Sequence, residues 1–455
     1  MLLDLLPDSA RAASLGTLMK GAGKVTRYIP IPQPTLLVGP GSMTRLGELI
    51  AGFGHLKLLI VTDAVIAKLG LLKGLTDALE SGGTEYAVFD EITPDAPIPL
   101  IERGLAFFRD QGCDALIAVG GGSSMDAAKA IAVAAANPKP LRRLAGYFKG
   151  RHAPLPLYAV PTTAGTGSEV TVAAVISDPE RKDKIVIVDP RIVPRAAALD
   201  PTLMTGLPPA VTAATGIDAL THAVEAFIGQ WATDYTDGLA LTAVGLIFGN
   251  LRTAYLEGGN LAAREKMALA STYAGMAFTR ANVGYVHAIA HQFGGRYHTP
   301  HGLANAIVLP HVLRFSAPAI TARLARLAVA ARLGEASDRD DELAERFLDA
   351  IDQLNADLAI PRTLAALKRS DIASIARGAR AEADAGYPVP RYMSQDECVA
   401  LLKALLPVDG ESGAAPAPVA AAKPSSPRKP AAPAPAKSAP KTPAKTPAKK
   451  TARKA

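Results

Sequence analysis

Cysteine is scarce in this 455-residue chain: Cys113 and Cys398 stand far apart and outside any metal-like spacing. No disulfide framework can be built from them, and a reduced, cytoplasmic setting is expected. Apolar runs of the roughly 18 uninterrupted residues that a membrane helix needs are also missing, so no membrane partner is expected. The first 23 residues hold Asp4 and Asp8 and lack a basic lead into an apolar core. They read as a loose N-terminal extension, not a signal peptide. Acidic and aromatic residues are missing from the other end, where Ser412 to Ala455 holds ten Lys or Arg and ten Pro. Ten positive charges there, set against +7 for the whole chain, leave −3 on residues 1–411. A Lys/Pro/Ala-rich stretch of this kind cannot bury enough apolar area to offset its ordering entropy, so residues 408–455 are expected to be disordered. As a flexible polycation the tail would attract polyanions weakly, without reading sequence.

What remains is long enough for two domains. From 24 to 204 the chain alternates short β-branched runs with helical segments. LKLLIVTD, TEYAVFD, ALIAVGGG, LYAVPTT, KIVIVDP and AAALD read as strands, several apolar throughout, as in a sheet covered on both faces. From 205 to 407 the pattern is amphipathic helix with few strand candidates. The expected fold is an α/β N-terminal dinucleotide-binding domain followed by an all-α C-terminal metal-binding domain, with the active site in the cleft between them.

Histidine carries the clearest chemical signal. Five of the eight histidines fall between positions 287 and 311, which scattered core histidines would rarely do. In GIDALTHAVEAF, Asp218 and His222 are four residues apart and share a helix face, and His287 and His291 repeat that spacing in VGYVHAIAHQFGG. His301 follows in HTPHGLANA. Neutral imidazoles with a carboxylate are the usual ligands for a borderline divalent ion, so Asp218, His222, His287 and His301 form a candidate metal site. His291, one turn from His287, is a candidate proton relay, the plainer reading being a hydrogen-bond partner behind the ligands.

The N-terminal half carries phosphate chemistry. A buried strand runs into Gly120, Gly121 and Gly122, and the helix start at Ser123 and Ser124 turns its amides toward an anion. A second strand leads into PTTAGTGSEVT, where Thr162, Thr163, Thr166 and Ser168 add hydroxyls beside two more glycines. Two such loops in one sheet point to a dinucleotide. Asp63, just past a strand, could accept from ribose hydroxyls and repel a 2′-phosphate, favouring NAD, or it could simply cap the next helix.

GGGSSMDAAKA, PTTAGTGSEVT, GIDALTHAVE and VHAIAHQFGGRYHTPHGLANAIVLPHV together resemble, in order, the signature segments of the iron-containing (group III) alcohol dehydrogenases over about residues 24–407. The resemblance implies Asp218, His222, His287 and His301 as ligands, with Fe(II) or Zn(II) as the ion and His291 unligated at the site. It also implies that the GGGS loop and the threonines hold the coenzyme pyrophosphate and nicotinamide ribose, Asp63 the adenosine ribose, and that Lys184 sits beside the coenzyme. Phe278 falls where an aromatic residue often lies near substrate. Where many members have PNP, this chain has PDAP, Pro94 to Pro97, which puts Asp95 in place of an amide near the expected nicotinamide end. The implied activity is hydride transfer between a small alcohol or aldehyde and NAD, in a homo-oligomer. Two alternatives stand beside it: a dehydroquinate-synthase-like or glycerol-dehydrogenase-like metal enzyme, or a protein that binds nucleic acid or an acidic surface through its tail.

Overall fold

The structure, a computed structural model, describes residues 7–181 and 183–407. The basic tail expected at 408–455 lies outside the described residues. After helix α1 (Asp8–Thr26) come β1 (Thr35–Val38), α2 (Ser42–Ala51), β2 (Lys57–Val61), α3 (Ala64–Lys68) and α4 (Lys73–Ser81). They are followed by β3 (Glu85–Phe89), α5 (Ile98–Asp110), β4 (Ala115–Gly120), α6 (Gly122–Ala136), α7 (Leu141–Leu144) and β5 (Gly146–Tyr147). Strands β6 (Leu157–Pro161), β7 (Ala173–Asp178), β8 (Asp183–Val188) and β9 (Ala196–Leu199) complete this half. The second half is helical: α8 (Pro209–Ile228), α9 (Asp234–Leu256), α10 (Leu261–Ala281), α11 (Tyr285–Tyr297) and α12 (His301–Ala330), then α13 (Asp340–Asp357), α14 (Ile372–Gly386) and α15 (Gln395–Ala404).

Six strands form a parallel sheet in the order β1-β9-β6-β4-β2-β3. Every residue of β4, β6 and β9 is buried, which is why their sequences are apolar without alternation. From β2 the chain steps outward to β3 and returns on the other side to β4, so the strand order reverses between β2 and β4. Ligand crevices in open α/β sheets form at such a reversal, outside the carboxyl ends of the strands, and here Asp63 and the triple glycine flank it. KIVIVDP, read as one more strand of that sheet, instead becomes β8 of a separate three-stranded sheet, antiparallel to β7 and parallel to β5.

The described residues make one compact unit. The two halves meet where Gly167, at φ +59°, packs on α10: a Cβ there would fall 2.7 Å from both the Gly275 Cα and the Ser271 carbonyl oxygen. The N-terminal extension is not loose from Asp8 onward. In α1 the residues Arg11, Leu15, Met19 and Gly23 recur every fourth position and are buried, and the Trp231 Nε1–H donates to the Met19 carbonyl at 2.7 Å. Small and polar residues elsewhere in α1 mask that stripe in the sequence.

By length and composition, α9 and α12 are long and apolar enough to cross a bilayer, although Thr, Gly, Asn and Arg interrupt their apolar runs. More than half of the apolar window of α12 is buried inside the protein, as in a core helix. Its N-terminus is pressed onto α8, because a Cβ on Gly302 would lie 2.3 Å from the Ala214 carbonyl oxygen. Gly302→Ala removes no polar group yet forces these helices apart, so it should cost about 1–3 kcal/mol and lower the melting temperature by a few degrees. An unchanged melting curve would refute the close approach.

Candidate metal centre and coenzyme cleft

Three helices deliver the candidate ligands. Asp218 and His222 lie on α8, His287 and His291 on α11, and His301 opens α12. One donor atom each from Asp218, His222 and His287 lies within 4.8 Å of the others, and all three side chains are buried. His301 joins them, its Nε2 being 3.5 Å from the Asp218 Oδ1, while the His287 Nε2 is 4.0 Å from the same oxygen. The rings of His222 and His287 stack at 4.6 Å, and Phe278 stacks on the other side of His222 at 4.2 Å.

Burial pushes the His222 imidazole down, the His287 imidazole well below its ordinary range, and the His301 imidazole to about 4. Neutral rings beside one carboxylate are the donor set a divalent cation needs. Asn305, one turn after His301, tests that fit. Its Nδ2 lies 2.7 Å from the Asp218 Oδ1, 3.2 Å from the His301 Nε2 and 3.3 Å from the His287 Nε2, so a polar amide stands where donor atoms of three candidate ligands come together. Its own Oδ1 is buried without a partner among the described residues. The residues therefore fit a cation.

Behind the ligands stand groups that the sequence reading missed. Glu225, one turn past His222, accepts the Val286 N–H at 2.7 Å and pairs with the His287 Nδ1 at 2.6 Å. That contact orients the ring so that Nε2 faces the cluster; burial pushes the Glu225 carboxyl up to about 8. Gly284 makes room for it, since a Cβ there would sit 2.8 Å from the Glu225 Oε1. His291 pairs through Nδ1 with the Glu382 Oε1 at 2.6 Å, and the Tyr387 hydroxyl donates to the same oxygen at 2.7 Å. Glu225 had a signal within THAVE, a carboxylate on the ligand face of an otherwise apolar helix. Glu382, on α14, had none, being 91 residues from its partner.

The loops expected to hold coenzyme follow the carboxyl ends of β4 and β6. Gly121 caps α6 without a side-chain hydrogen bond, leaving the first helical amides for an anion. The glycines are required by packing: a Cβ on Gly120 would meet the Ser124 Oγ at 2.4 Å, and one on Gly122 the Thr166 Cγ2 at 2.8 Å. The Thr162 N–H donates to the Gly120 carbonyl at 3.0 Å, tying the two loops together, and Thr163 lies beside Gly121. Ser168, expected to offer its hydroxyl to the coenzyme, is buried and donates instead to the Asp126 Oδ1 at 2.9 Å, while accepting from the Lys129 Nζ at 2.9 Å. Lys129, fully buried, also donates to Thr171 and to the Ala173 carbonyl. Asp63 does cap a helix, its Oδ1 accepting the Val65 and Ile66 N–H groups at 2.9 and 3.0 Å, with no hydrogen bond to its Oδ2 among the described residues. Lys184 pairs with Asp95 at 2.8 Å.

Comparison with known proteins fits this arrangement. Residues 33–201 match iron-containing alcohol dehydrogenase, and residues 212–406 match the C-terminal domain of the iron-containing alcohol dehydrogenase family. The chain belongs to this family. It is 42% identical to the 1,3-propanediol dehydrogenase of Klebsiella pneumoniae over 80% of its own length and 95% of that protein's. With the NAD-dependent methanol dehydrogenase of Bacillus methanolicus it shares 38% identity over 77% and 92% of the two chains. A crystal structure of 1,3-propanediol oxidoreductase superposes with a TM-score of 0.79 at 40% identity, covering 82% of this chain and 99% of that one. Helix α1 precedes the matched residues.

Glu225→Gln keeps the size of the side chain but exchanges one carboxyl oxygen for an amide nitrogen, so it can no longer serve both the Val286 N–H and the His287 Nδ1 through oxygen. It should weaken metal affinity by roughly 10–100-fold in a chelator competition, as loss of an outer-shell partner typically does. Wild-type retention would make Glu225 a packing residue alone.

Proposed function

We propose that this family member is an NAD-dependent alcohol dehydrogenase and aldehyde reductase for small, polar alcohols, with Asp218, His222, His287 and His301 as its metal ligands. The grouping of one donor atom each from Asp218, His222 and His287 within 4.8 Å, with the His301 Nε2 beside them, carries this reading. Fe(II) is the ion in keeping with the family, Zn(II) being compatible with the same donors. With both groups bound, the ion would act as Lewis acid on the substrate oxygen and the nicotinamide would exchange hydride with its carbon.

The chain's own part is positional and protonic. Glu225 fixes the His287 tautomer, and Phe278 walls the His222 side. The glycine loop and Thr162, Thr163 and Thr166 would seat the pyrophosphate and nicotinamide ribose, with Asp63 on the adenosine ribose. His291 would take the proton released by the alcohol and pass it through Nδ1 toward Glu382, which is partly exposed and held by Tyr387. The likeness to enzymes named for 1,3-propanediol and methanol favours short alcohols, diols and their aldehydes. The working division is 24–204 for coenzyme and 205–407 for metal. A homo-oligomer and a reducing, cytoplasmic setting, in keeping with two free, buried cysteines, complete the reading. Weak capture of polyanions by the tail would show as low-salt retention on heparin.

His222→Ala, His287→Ala and His301→Ala should each lose most bound metal and turnover, whereas His291→Ala should keep its metal, lose about a hundredfold in rate and change the pH profile. Full metal and activity in two of the three ligand variants would sink the site. Coenzyme preference tests Asp63: wild type should favour NAD over NADP, and Asp63→Gly should narrow that gap by roughly tenfold, the worth of one charge-assisted hydrogen bond. Better turnover with NADPH in wild type would rule that role out.

A further inference from the structure

The PDAP turn joins β3 to α5, and both of its central residues have left-handed backbones, Asp95 at φ 65° and Ala96 at φ 41°. Side-chain-bearing residues rarely adopt that conformation, and two in succession need outside support. They have it: the Ser177 N–H donates to the Asp95 carbonyl at 3.1 Å, and the Asp95 N–H donates to the Ser123 Oγ at 3.2 Å. The turn is thereby pinned to the second residue of α6, at the helix start where the pyrophosphate would sit. From there the Asp95 carboxylate takes the Lys184 ammonium at 2.8 Å.

Lys184 comes from β8 and reaches toward the metal helices, its Nζ being 4.0 Å from where a Cβ on Gly294 of α11 would lie. Its charge acts on both sides of the cleft, adding to the field on Asp126 in α6 and on His301, although burial dominates at each. The Lys184 cation is therefore already paired with a carboxylate. A coenzyme brings two pyrophosphate charges to the adjoining helix start and must draw on the same ammonium. The oxidised form carries a compensating positive ring, whereas the reduced form does not.

We propose that Asp95 is a specificity-determining residue that competes with the coenzyme for Lys184, weakening the hold on NADH more than on NAD and so easing release of the reduced form. This rests on the coenzyme reading above. Charges a few ångströms apart at a protein surface couple by enough to change binding about three- to tenfold.

The test is titration of NADH fluorescence on the metal-loaded full chain, with NAD measured by displacement. Asp95→Asn should lower the NADH dissociation constant about three- to tenfold, and the NAD constant by less. Lys184→Met should raise both, and Asp95→Asn added to Lys184→Met should bring no further tightening. Asp95→Asn binding NADH no tighter than wild type, equal shifts for the two coenzymes, or a gain that survives without Lys184 would each overturn the proposal while leaving the coenzyme reading intact. A wild type that binds neither coenzyme would overturn both.

Discussion

Asp218, His222 and His287 are buried where α8 and α11 meet, with the half-buried His301 of α12 beside them, and the rest of the helical half is arranged to keep them there. Such a cluster does not hold itself together, since among the described residues the desolvated Asp218 carboxylate meets ring nitrogens and one amide. The helices must therefore be held by other means. Small residues do this by letting backbones approach: Gly302 lies against Ala214, and Gly167 against Gly275. Each contact replaces side-chain volume with backbone proximity, which gives the site little room to relax. The same closeness explains the alanine-rich composition of α8 and α10.

A second buried network ties coenzyme loops to metal helices. Lys129, in α6, has four acceptors within 3.0 Å, and Asp126 is satisfied by Ser168 and by the Val175 N–H. Glu169, next to Ser168, accepts the Thr272 hydroxyl of α10 at 2.7 Å. Buried charges of this kind stabilise little in net terms, but removing one member leaves the others unpaired. Their effect is to fix geometry, so that the glycine loop, the threonine loop and α10 behave as one piece. Burial lowers the Lys129 amine to about 8, with Asp126 and Glu169 opposing that fall.

Legibility in the sequence followed the range of the interactions. Buried parallel strands show as apolar runs because both their faces are covered, and ligand pairs four apart show because a helix turn is local. Residues 183–188 were rightly read as a strand but not as part of a separate sheet, since pairing partners are chosen over distance. The four-residue stripe of α1 is built from Arg, Leu, Met and Gly, and only Trp231, Asp384 and their neighbours give it meaning. Asp63 and Ser168 illustrate a further limit: composition reveals a carboxylate or hydroxyl near a loop, but whether it faces a ligand depends on which backbone amides and buried charges reach it first. Glu382 acquires its role through a partner on another element, and spacing carries no trace of that, whereas Asn305, four residues after His301, shares its helix face and was legible in principle.

His301 stands at the very start of α12, and the preceding Pro300 offers that helix no side-chain cap. The positive end of that helix dipole therefore lies at the turn that carries His301, one of the candidate ligands. Such a field opposes a bare cation by a fraction of a kilocalorie to about 1 kcal/mol and favours negative charge on any oxygen drawn close to it. Were an ion and an alcohol held there, the acidity of the alcohol would be shared between the ion and the peptide backbone, and exchanging one divalent ion for another would alter only part of the driving force.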